Sequence, residues 1–154
     1  IGALGGVLGR REDGSTDGEA LRAWASSARA LLRKLDQIAL GDAQIGELLA
    51  SSPSPPEGTW PVAEVCAVIE AAESEPLENG LQVGRLNMRG VTSRALDAGG
   101  DQERALAERY RESAAAVEVR RPRTASLLRG PARSYESDAR RQDDDADLTQ
   151  DRWR

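Results

Sequence analysis

Residues 99–119 read GGDQERALAERYRESAAAVEV, and residues 121–147 read RPRTASLLRGPARSYESDARRQDDDAD. Together they spell a helical hairpin with its boundaries marked. Gly99-Gly100 interrupts the chain, and Asp101 offers a carboxylate to the free backbone N–H groups of a starting helix. Leu106, Tyr110, Ala114 and Val117 then recur three or four residues apart, the spacing of one helix face. Arg121-Pro122 restarts the chain, because proline suits a first helical turn. Ala125, Leu128, Ala132, Tyr135 and Ala139 repeat the pattern. Gly130-Pro131 falls inside it. A proline there removes a backbone hydrogen bond and crowds the preceding turn, which predicts a kink or break near residues 128–131. Fraying is expected after Asp147, leaving residues 149–154 as a tail.

Working back from the hairpin, helical signals continue. Thr16-Asp17-Gly18-Glu19 matches a capping box, with Thr16 as the cap. Behind it Leu21, Trp24, Ala28, Leu31, Leu35 and Ile38 form an apolar seam at alternating spacings of three and four. The seam predicts one helix over residues 17–40, stopped by Gly41. Asp42 then caps a shorter helix carrying Ile45, Leu48 and Leu49. A proline-rich loop over residues 51–59 follows and is the best internal boundary. Trp60-Pro61 opens a helix through Val62, Val65, Cys66, Ile69 and Ala72, which Pro76 ends. Residues 77–89 read as a helix despite Gly80 and Gly84. Each glycine costs about 1 kcal/mol relative to alanine unless another backbone packs closely there. Residues 1–14 read as a flexible, glycine-rich lead-in to a helical domain over residues 15–148.

Composition agrees with an all-α fold. Of 154 residues, 39% are hydrophobic, only 3% are aromatic, and there is no Phe. Much of the apolar content is alanine, which suits close helix packing better than a β-sandwich. A net charge of −5 argues against a general nucleic-acid binder, whose usual footprint is a basic face. Lys34 is the only lysine, so arginine carries the positive charge, a usage expected of a GC-rich bacterial genome. One cysteine cannot form an internal disulfide, which points to the cytoplasm. No apolar run is long enough to span a membrane. The first residue is Ile1 and not Met, so a piece of a longer protein is expected.

The side chains that most enzymes use are scarce. There is no histidine, so a Ser-His-Asp or Cys-His set and a histidine zinc site are all missing. Cys66 lies on an apolar helix face and reads as a small buried hydrophobe. Asp143, Asp144, Asp145 and Asp147 are the one carboxylate cluster and could hold a divalent cation. They read more simply as a solvated helix end, which the helix dipole would disfavour without a basic partner. Arg120, Arg121, Arg123, Arg129, Arg133, Arg140 and Arg141 make the preceding segment basic. Guanidinium groups there could clamp phosphates or a partner's carboxylates. Pairing with Glu108, Glu112, Glu118, Glu136 and the acidic end is the simpler use. No glycine-rich phosphate loop occurs.

The strings Asn87-Met-Arg-Gly90-Val-Thr-Ser-Arg94, Gly99-Gly-Asp-Gln-Glu103, Pro122-Arg-Thr-Ala125 and Ser134-Tyr-Glu-Ser-Asp-Ala-Arg-Arg141 resemble the C-terminal region of a group of uncharacterised actinobacterial proteins. The resemblance covers about residues 77–147. It implies a helical module at the end of a larger protein and transfers no activity to any residue. That group commonly carries an aromatic residue where Arg121 stands and an aliphatic one where Pro131 stands.

The expectation is therefore an all-α, irregular bundle of about five helices. Its core should come mainly from the first long helix and the C-terminal hairpin. The expected role is a non-catalytic protein-interaction or assembly module, with self-association through the seam of residues 21–38. No cofactor, catalytic residue or metal ligand is assigned. Arg120, Arg121, Arg123, Arg133, Arg140 and Arg141 are the candidate partner-binding residues. Two alternatives stand beside this: a nucleic-acid-binding accessory domain using residues 120–141, and a carboxylate enzyme with a divalent metal.

Overall fold

The computed structural model describes residues 15–52, 60–88 and 100–152. Its six helices are α1 (Gly18–Lys34), α2 (Ile38–Ala50), α3 (Ala63–Ala72), α4 (Glu75–Met88), α5 (Asp101–Val117) and α6 (Pro122–Arg152). The class is all-α. The chain divides into two compact units, residues 1–89 and residues 90–154. The lead-in of residues 1–14 and most of the proline-rich loop lie outside the described residues.

In the first unit the cap of α1 is Asp17 and not Thr16. Its Oδ1 accepts hydrogen bonds from the backbone N–H groups of Glu19 (3.1 Å) and Ala20 (3.0 Å). The single helix predicted over residues 17–40 is two. Asp36 adopts the left-handed conformation, φ +55°. The Gln37 N–H then bonds the Leu32 carbonyl (2.9 Å) and the Asp36 N–H bonds that of Arg33 (3.2 Å). This is a Schellman ending, built on an aspartate where glycine is usual. Gly41 and Asp42, expected as stop and cap, are buried inside α2. A Cβ at Gly41 would sit within 2.8 Å of the Leu32 Cγ, so the glycine lets α1 and α2 close up.

Two other boundaries shift. Pro61, expected as the first residue of the next helix, lies before it: α3 begins at Ala63, and Trp60-Pro61 is a cis peptide. Pro76 does not end α3. Glu73, also left-handed at φ +46°, ends it, and Pro76 sits in the first turn of α4. A proline is cheap there because its missing N–H would have no partner within the helix. The Ser74 hydroxyl caps α4, accepting from the Leu77 N–H at 3.4 Å.

The glycines of α4 are explained by α2. Gly80 lies against Ala43, Gly84 against Glu47 and Ala50, and Gly46 against Leu77 and Leu81. The pairing advances the same way along both helices, so they run parallel. The close approach expected from Gly80 and Gly84 is present. Small residues on both helices let the backbones meet. Ile45, Leu49, Val65, Cys66, Ile69, Leu77 and Leu81 are buried in this unit. Its core is thus drawn chiefly from α2, α3 and α4, with Leu21 and Ala25 from α1, and not chiefly from the first helix.

In the second unit α5 and α6 form the predicted hairpin. Gly100 is the residue before α5, and Asp101 is its first residue. Ala125, Leu128, Ala132, Tyr135 and Ala139 are all buried, as the spacing predicts. On α5 the buried positions are Glu103, Ala107 and Ala114, so the face is rotated from the predicted one. Tyr110 and Tyr135 stack with centroids 5.8 Å apart. Of the kink or break predicted near residues 128–131, the break does not occur: α6 runs through Pro131 to Arg152. Pro131 is buried, and the apolar face on either side of it holds the helix together across one lost hydrogen bond.

Candidate interaction surfaces

The arginines singled out in the sequence do not share one face. Arg120 lies in the turn between α5 and α6, and Arg121 directly precedes α6. Arg123 and Arg141 are eighteen residues, or five helical turns, apart and therefore point to the same side of α6. Arg129, Arg133 and Arg140 follow a different edge at multiples of three and four residues. Several are engaged locally. Arg129 pairs with Glu118, Arg141 with Asp138, and the Arg140 Nε–H donates to the Glu136 carbonyl at 3.4 Å. The side chains of Arg120, Arg121 and Arg133 make no ion pair among the described residues.

Between α5 and α6 a groove of about 470 Å³ is lined by Arg104, Ala107, Glu108, Arg111, Glu136, Ala139 and Arg140. Its charges answer one another. Arg111 binds Glu108 on its own helix (2.5 Å) and Glu136 across the hairpin. The ladder zips the hairpin and leaves little unpaired charge for a ligand.

The acidic cluster has a structural partner. Asp143 Oδ1 accepts from the Gly100 N–H (2.8 Å), and its Oδ2 accepts from Arg104 (2.5 Å). Arg104 also binds Asp101 at 2.7 Å. The Arg104 hydrogen bond, with that from Gly100, holds the Asp143 carboxyl below its ordinary range. The same bond, with that to Asp101, raises the Arg104 guanidinium. Asp143 thus sits where the dipole of α5 favours an anion, and not at the end of its own helix. Among the described residues no three Cys, Asp or Glu side chains gather as a metal site.

Helix α1 presents two further surfaces. Arg22, Ser26, Arg29 and Arg33 form a stripe at spacings of four, three and four. They rim a groove of about 330 Å³ whose floor is Ala25, Val68, Ala71 and Ala72. Arg29 is committed to the fold. Its Nε–H and Nη2–H donate to the two oxygens of Asp42 at 2.8 and 3.0 Å, and Asp42 is only 2% exposed. Arg22 and Arg33 make no ion pair among the described residues. On the opposite flank Leu31 and Leu35 are exposed, as is Leu40 beyond the turn.

The periodicity of this stripe is present in the sequence, beside the more conspicuous apolar seam on the same helix. Trp60 and Cys66 are structural. Trp60 is buried beneath the Arg85 guanidinium, 4.6 Å above its ring, a cation–π contact. Cys66 is fully buried and its S–H donates to the Pro61 carbonyl. No helix among the described residues is long and apolar enough to cross a membrane. Compared with protein-family models, curated proteins and solved structures, the chain matches none.

Proposed function

We propose that this chain is a non-catalytic helical protein-interaction module that self-associates weakly through the edge where α1 turns into α2. The observation that carries this is the exposure of Leu31, Leu35 and Leu40, at 58%, 60% and 61%. Leu31 and Leu35 stand one helical turn apart, so their exposed side chains make one apolar patch, the kind of feature that marks association surfaces. Three leucines fall well short of the roughly 800 Å² per partner of a standard interface, so the association is weak and concentration-dependent. A bacterial cytoplasmic setting belongs to the same reading, and rests on the lone buried cysteine and the arginine-dominated composition.

Sedimentation velocity over a wide concentration series tests it. The weight-average mass of the native chain should rise with concentration. Leu31→Glu with Leu35→Glu should hold the protein monomeric at unchanged helicity, because both positions are solvent-facing. A native chain that stays monomeric, or a variant that associates equally well, refutes the proposal. A nucleic-acid reading has less support, since Arg129 and Arg141 are paired and the arginines of α6 point in different directions.

A further inference from the structure

We propose that the groove between α1 and α3 is a docking site for an acidic amphipathic helix of a partner protein. This stands on the flank of α1 opposite Leu31 and Leu35 and does not depend on self-association through them.

The argument begins with spacing. Arg22, Ser26, Arg29 and Arg33 cover three turns of α1, roughly 16 Å at 1.5 Å per residue. A guest helix with carboxylates at the same intervals of four, three and four matches this stripe in register. The floor supplies the second element. Ala25, Ala71 and Ala72 are small and Val68 is short, so a guest backbone can approach closely while its apolar face covers them. Charge supplies the third. Arg29 is neutralised by Asp42, whereas Arg22 and Arg33 have no carboxylate partner among the described residues. The two uncommitted guanidiniums therefore stand at the two ends of the groove, with a pinned, partly buried one between them. A guanidinium fork is suited to planar carboxylates.

A protein helix fits better than a nucleic acid. The floor is aliphatic and no aromatic ring lines the groove for base stacking. The chain is also net negative, at −5, which opposes a long polyanion more than a short acidic helix.

The test uses a fluorescein-labelled helical peptide of about sixteen residues, with Glu at the stated spacing on one face and Ala and Leu on the other. Two controls accompany it: the same peptide with Gln for Glu, and a scrambled one that spreads the Glu around the helix. Fluorescence anisotropy at low salt should detect binding of the patterned peptide, at least tenfold weaker binding of both controls, and steep weakening as salt rises. Arg22→Glu with Arg33→Glu should reduce affinity at least tenfold at unchanged helicity, because neither side chain holds the fold. Arg120→Glu with Arg133→Glu, and Leu31→Glu with Leu35→Glu, should bind as the native chain does. No binding at low salt, or equal binding by the Arg22/Arg33 variant, overturns the proposal. So does a single-stranded oligonucleotide that binds tighter than the peptide through those same two arginines.

Discussion

Gly80→Ala isolates the contact on which the α2–α4 pair is built. In an ordinary helix this change stabilises, by up to about 1 kcal/mol, because alanine orders its backbone at lower entropic cost. Here the new Cβ would stand 2.7 Å from the Ala43 carbonyl carbon, 2.9 Å from its Cα, and closer still to its oxygen. The neighbour is backbone, so no rotamer change relieves the clash. Ordinary contact begins near 3.4 Å, so the helices must part by at least 0.7 Å to clear the carbon alone. A gap of about 0.5–1 Å forfeits a quarter to a half of each dispersion contact across it. The contacts at risk are those of Gly46 with Leu77 and Leu81 and of Gly84 with Ala50. Overpacking of this kind costs about 1–3 kcal/mol, and the rigid neighbour places Gly80→Ala at the upper end. The propensity gain offsets part of that, leaving a net loss of about 2 kcal/mol. Urea denaturation followed by circular dichroism reads it as a lower midpoint at unchanged slope. Asn79→Ala, exposed on the same helix, should leave the midpoint level or raise it slightly. If Gly80→Ala raises the midpoint as the exposed control does, the close approach is refuted.

Two further outcomes follow from the charged pairs. Arg29→Ala leaves the Asp42 carboxylate buried without its fork and should cost about 3 kcal/mol; Arg29→Leu with Asp42→Leu should recover most of that, and a double variant no better than Arg29→Ala would argue against pairing as the cause. The depressed carboxyl of Asp143 gives a signed pH dependence: its contribution to hairpin stability is complete above its unfolded value near about 4 and is lost as pH falls through the lower folded value. Acid titration of thermal stability should therefore fall less steeply below about pH 4 for Asp143→Asn than for the native chain, and coincident profiles would refute the role given to the Arg104 and Gly100 hydrogen bonds.

Helix type was legible in the sequence because it depends on spacing and composition, both local. The face of α6 from Ala125 to Ala139 was readable for that reason, and so were the paired glycines of α4, whose cost demanded a close neighbour. The turn at Asp36 was not readable. The apolar spacing from Leu31 through Leu35 to Ile38 continues across it unbroken, and spacing carries no information about the sign of φ. Tertiary structure settles the matter: once Leu32 packs on Gly41 and Arg29 grips Asp42, the reversal buries what a continued helix would leave in solvent. Pro131 is the converse case: its local penalty does not end the helix, because burial on both sides outweighs it.

The same distinction governs the surfaces. A run of arginines in sequence is not a patch in space. The α6 arginines are numerous but divide between two edges of the helix, and Arg129 and Arg141 meet carboxylates at Glu118 and Asp138. The three α1 arginines, Arg22, Arg29 and Arg33, all fall on one edge, because their spacings of seven and four follow the helical turn. Whether such an edge becomes a groove depends on a second helix, and α3 supplies it through Val68, Ala71 and Ala72. Helix α1 therefore buries one narrow stripe and leaves two chemically unlike flanks exposed. One flank ends in leucines and the other carries guanidiniums over a shallow aliphatic floor. That difference between the flanks is the ground on which both proposals are built on α1 and not on the arginine-rich hairpin.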